Sequence, residues 1–79
     1  NNAALAQILA KDYSAASKTL SAIKHPDATT YYLMAVLGAR TNNSGMVTSN
    51  LKEAIKLNPQ YRTRAANDLE FANFNLGSL

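Results

Sequence analysis

Residues 28–59, ATTYYLMAVLGARTNNSGMVTSNLKEAIKLNP, decide the fold. Tyr31, Met34, Ala35 and Gly38 recur at three- and four-residue spacing, the period of one helix face. Asp27, just before them, is a residue type that caps helix starts. The polar cluster Thr41-Asn42-Asn43-Ser44-Gly45 interrupts the pattern and reads as a turn after about Arg40. Val47, Leu51, Ala54 and Ile55 then resume the helical period to about Leu57. Asn58-Pro59 closes the stretch with a cap and a proline suited to the first position of a further helix. The unit is therefore helix, turn, helix.

Working outward, the same reading predicts about five helices and no strand. Upstream, Leu5, Ile8 and Leu9 mark a helix over about 2–10. Asp12 caps a second, running to about Lys24, with Tyr13, Ala16, Leu20 and Ile23 as its apolar stripe. His25-Pro26 ends it, because proline disfavours a helical conformation at the residue before it. Downstream, a terminal helix is expected over 59–74, with Tyr61, Ala65, Leu69 and Ala72 inward and Arg62, Asn67 and Asp68 facing water. Residues 75–79 are expected to fray. Lys11, Lys24, Arg40 and Lys56 stand in or just after last turns, where cations favour the negative end of the helix dipole.

Composition bounds what such a fold does. Seventy-nine residues allow a single small domain with a thin core. The hydrophobic share of 47% is too high for a disordered chain, and much of it is alanine, which favours close helix packing. Without cysteine there are no disulfides, thiolate metal sites or cysteine nucleophiles, and one His excludes a His-rich metal site. No apolar run is long enough to span a bilayer as a helix. The net charge of +3 comes from eight scattered basic residues, whereas a nucleic-acid binder concentrates them on one face. The start at Asn1-Asn2-Ala3, without an initiator Met, reads as an element already under way, so the chain is expected to be an excised piece of a longer protein.

A shift of 31 residues aligns Asp12 with Asn43, Ala16 with Val47, Leu20 with Leu51 and Ile23 with Ala54. Tyr31, Met34-Ala35, Gly38, Val47, Leu51, Ala54 and Pro59 fall, in order, on the motif positions of the tetratricopeptide repeat, a helix–turn–helix unit of roughly 34 residues, which the chain resembles. Ala3-Ala4, Tyr13, Ala16, Leu20 and Ile23 match an earlier copy. Two departures are evident: Pro26 comes early for a closing proline, and Val47 replaces the usual alanine at the helix crossing. The resemblance implies an all-α antiparallel solenoid fragment in a single domain. It comprises a partial first repeat over 1–27, a full repeat over 28–58, a capping helix over 59–74 and the tail. The parent would be a longer bacterial array whose C-terminal end this is.

What the resemblance implies for function is protein–protein interaction. Tyr13 and Tyr31 take packing positions, while Tyr32, one residue on, points about 100° away toward the groove where partner segments lie in such arrays. On that mapping Thr29, Tyr32, Val36 and Arg40 line the groove, flanked by Leu5 and Ile8 before them and Glu70 and Asn73 after. The plainer alternative is that Leu5, Ile8 and Val36 pack between repeats. Members that grip chaperone carboxylates carry Lys, Arg and Asn at groove positions; Tyr32 and Val36 stand at two of these, leaving Arg40 alone, so a carboxylate clamp is not expected.

Catalysis is not expected. His25 sits in a linker with no ligand or nucleophile at a related spacing. Asp12, Asp27, Glu53, Asp68 and Glu70 read as caps and solvated faces, the serines lack nucleophile-elbow glycines, and there is no phosphate loop. Asn42-Asn43-Ser44 is formally a glycosylation sequon, but the turn explains it. No cofactor or metal is expected. The partner is a protein or peptide segment, or upstream repeats of the same chain. The rivals are a structural solenoid cap or self-association module, and, more remotely, a nucleic-acid binder. Low charge, no Cys and many Asn, Ser and Thr lean toward a bacterial periplasmic or cell-envelope protein, with a cytoplasmic one as the alternative.

Overall fold

The structure is a computed structural model that describes residues 2–74 and 76. Among these the chain is all-α: α1 (Asn2–Leu9), α2 (Tyr13–Ser21), α3 (Ala28–Arg40), α4 (Ser44–Leu57) and α5 (Tyr61–Ala66), then a 3₁₀ turn over Leu69–Phe71. α1 packs on α2 and α3 on α4 as two antiparallel hairpins, and α2 packs on α3 to stack one hairpin on the other.

The two hairpin turns are built alike, 31 residues apart. Lys11 and Asn42 both take left-handed backbone angles, with φ of 65° and 58°. Asp12 N donates to the Gln7 carbonyl at 2.8 Å, and Asn43 N to the Gly38 carbonyl at 2.7 Å. This six-to-one bond around a left-handed residue is the Schellman ending, which satisfies carbonyls the helix leaves unpaired. Each closing residue also starts the next helix: Asp12 accepts from Ala15 N and Asn43 from Met46 N. One residue thus ends a helix and caps the next, which sets the tight hairpin.

The same offset recurs in the core. Ala4 and Ala35, Ala16 and Val47, and Leu20 and Leu51 are all essentially inaccessible. Gly38 lets α3 and α4 close on each other: a Cβ there would lie 3.0 Å from Met46 Cβ and 3.1 Å from the Val47 nitrogen. α3 begins with a capping box in which Asp27 and Thr30 bond each other's backbone amides reciprocally. The Thr30 amide and hydroxyl hold the Asp27 carboxyl below its usual pKa.

Three expectations need correction. α2 stops at Ser21 rather than near Lys24, because Ile23 N bonds the Leu20 carbonyl and tightens the last turn out of the helix. The terminal helix does not run to Phe74. It ends at Ala66, and after Asn67 the Asp68 side chain caps the 3₁₀ turn by accepting from Glu70 N at 3.0 Å. That break rotates the inward face, so Phe71 is buried while Leu69 is 89% exposed and Ala72 faces solvent. The frayed tail expected over 75–79 lies outside the described residues except for Leu76, which packs against the core.

Candidate interaction site

α3 carries a second face besides its seam with α4. Thr29, Val36 and Arg40 share that face with the adjacent pair Tyr32-Leu33, each residue three or four positions from another of the set. α5 approaches that face through Tyr61 and Arg64, one turn apart. The Tyr61 hydroxyl lies 2.9 Å from the Thr29 hydroxyl, and its ring stands 5.1 Å from the Tyr32 ring. The Arg64 guanidinium sits 4.9 Å from the Tyr32 centroid and 5.3 Å from that of Tyr61, within cation–π range of both.

The segment after α5 then crosses the face. Phe71 meets the Tyr32 ring edge-on at 5.6 Å. The Tyr32 hydroxyl donates to the Asp68 carboxylate. Burial, reinforced by that carboxylate, pushes the Tyr32 phenol well above its usual pKa. Glu70 takes a forked pair of bonds from Arg40, Nη2 at 2.6 Å and Nε at 3.1 Å, while Arg40 Nη1 donates to the Ile8 carbonyl at 3.3 Å. Glu70, together with the Tyr13 hydroxyl, raises the Arg40 pKa. Beside this segment a cleft of about 300 Å³ remains, with Leu5, Thr29, Val36, Tyr61 and Arg64 among its walls.

Of the expected groove residues, Leu5, Thr29, Tyr32, Val36 and Glu70 do meet around this cleft. Ile8 is buried, and Arg40 is tied to Glu70 and the Ile8 carbonyl. Asn73 is exposed and lines no part of the cleft. The expectation that Tyr32 is open while Tyr31 is buried is reversed: Tyr32 is 4% exposed and Tyr31 only half-buried. Tyr32 does leave the α3–α4 seam as its position dictates, but Tyr61 and Phe71 cover the face it enters. Leu33, Tyr61, Arg64 and Asp68 are not among the expected groove residues, and Asp68, expected to face water, instead accepts from the Tyr32 hydroxyl. Arg64 had a signal, standing three residues from Tyr61 on one helix face. Asp68 had one too, because Asn67-Asp68 is a pair suited to ending one helix and capping another element.

Among the described residues no group of three or more His, Asp or Glu is gathered to hold a metal, and no helix is long and apolar enough to cross a membrane. No protein-family model, curated protein or solved structure matches the chain.

Proposed function

We propose that the chain is a non-catalytic protein-interaction module of tetratricopeptide type, working through the cleft on the Tyr32 face of α3. The observation that carries this reading is the cleft itself. It joins apolar walls (Leu5, Leu33, Val36) to aromatic rings (Tyr32, Tyr61) and a solvent-facing guanidinium (Arg64), the mix on which peptide segments anchor. The repetition of turn and core at 31-residue spacing supports the assignment to a repeat family. In that setting the cleft is the partner groove, and α5 with the 3₁₀ turn is the C-terminal cap.

Peptide display against the immobilised chain tests this, with amide shifts mapping what is selected. Enriched peptides are expected to move the resonances of Thr29, Leu33, Tyr61 and Arg64, and to lose binding to Leu5→Arg. Selected peptides that map to another face would sink the reading.

A second reading, a solenoid cap or self-association module, draws on one observation. Leu5 and Leu9, one turn apart on α1, are 43% and 64% exposed, a stripe that suits a preceding helix. Light scattering separates the two: a dimer abolished by Leu9→Asp favours the stripe, and a monomer favours the cleft.

A further inference from the structure

The chain after α5 lies on its own interaction face in the manner of a bound ligand. Asp68, Glu70 and Phe71 point to α3, whereas Leu69 between them points outward. Each inward side chain meets a different group: a carboxylate receives the Tyr32 hydroxyl, a second receives the Arg40 fork, and a ring meets the Tyr32 ring. The backbone of the segment is satisfied locally, Asp68 N by the Ala65 carbonyl, Phe71 N by Asp68 and Ala72 N by Leu69. It is therefore held to α3 by side chains, as a short docked peptide is. Asp68 and Glu70 are two of the chain's five acidic residues. With them lifted away, Arg40 and Arg64 flank the Tyr32 and Tyr61 rings as a cationic aromatic face.

We propose that Asp68–Phe71 is a displaceable internal ligand, and that the partner of this face is an acidic peptide with the same pattern, two carboxylates one residue apart followed directly by an aromatic residue. This rests on the interaction reading above and specifies its partner. The fork is the recognition element that selects a carboxylate, since a guanidinium pairs with one in a fixed planar geometry. The ring contact supplies the apolar anchor. The internal copy keeps the face covered until a partner is abundant enough to compete, lowering apparent affinity by the fraction of time the face is closed.

The test uses the full chain and a fluorescent peptide copying residues 66–76. The double variant Glu70→Ala/Phe71→Ala, checked for helicity, is expected to bind this peptide at least about tenfold more tightly than the wild type. Binding should weaken with salt and vanish when the peptide carries the same two substitutions. Equal binding by a helical double variant and the wild type overturns the proposal. Hydrogen exchange on the unaltered chain decides the case in which the variant fails to fold. The Phe71 and Ala72 amides are expected to exchange through a local opening, well before the Leu51 amide. Exchange of all three in one cooperative step makes the segment a fixed part of the fold and overturns the proposal. Display peptides that bind the cleft without speeding tail exchange also overturn it while leaving the interaction reading intact. So does a tail-exchanged dimer, which makes a second copy the occupant.

Discussion

Lys11 and Asn42 stand 31 residues apart, each at a left-handed φ and each one residue before the cap of the following helix. Only glycine takes that conformation without a Cβ penalty, and asparagine tolerates it better than lysine does. Lys11→Gly is therefore expected to raise stability by about 0.5–1 kcal/mol, and Asn42→Gly by less. Urea midpoints measure both. Destabilisation by Lys11→Gly would contradict the turn geometry.

Gly38 and Gly45 make a second pair with opposite expectations. Gly38→Ala drives a methyl into Met46 and the Val47 backbone, an overpacking expected to cost about 1–3 kcal/mol. Gly45 lies in the first turn of α4, where its Cβ would meet only Asn43 Oδ1 at 3.7 Å. Gly45→Ala is expected to stabilise by about 0.5–1 kcal/mol through helix propensity. Thermal melts showing the same sign for both would refute the close α3–α4 approach.

Tyr32→Ala is expected to cost roughly 3–5 kcal/mol, the range for removing a buried aromatic ring. Tyr31→Ala, at a half-buried site, should cost clearly less. Denaturant titration of the two variants gives the ranking, and the reverse order would restore Tyr31 as the core residue.

Alkaline pH offers a separate check on Tyr32. Its folded-state pKa is raised above the ordinary value of about 10, by burial and by Asp68. The unfolded chain therefore loses this proton first as pH climbs. The stability linked to it is complete below about pH 10 and falls as pH rises toward the folded pKa. Between about pH 8 and about pH 11 the wild type is expected to lose more stability than Tyr32→Phe, which has no phenol to titrate. Equal losses would mean that the phenol is neither buried nor held by Asp68, since burial alone raises its pKa.

Much of this architecture is legible in the residues because local chemistry fixes it. The caps Asp12 and Asp27, the turn over 41–45, the 31-residue repetition and the small residues Ala35 and Gly38 act within a turn or a hairpin, the range over which pattern speaks. The direction of Tyr32 out of the seam was legible for the same reason. What covers it was not. That depends on Phe71, 39 positions later, and on a helix break at Asn67 that the apolar spacing of Leu69 and Ala72 disguises as continuing helix. Arg40 and Glu70, 30 residues apart, are both expected at the groove, Arg40 lining it and Glu70 flanking it. Their pairing follows from the fold and not from spacing.

The segment after α5 lies across the Tyr32 face of α3, an arrangement that nuclear Overhauser contacts in the labelled chain report without any substitution. Ring-to-ring cross-peaks are predicted between Phe71 and Tyr32 and between Tyr61 and Tyr32, whose centroids stand 5.6 Å and 5.1 Å apart. Phe71 resonances at random-coil positions, with no cross-peak to Tyr32, would mean that the segment does not lie on α3.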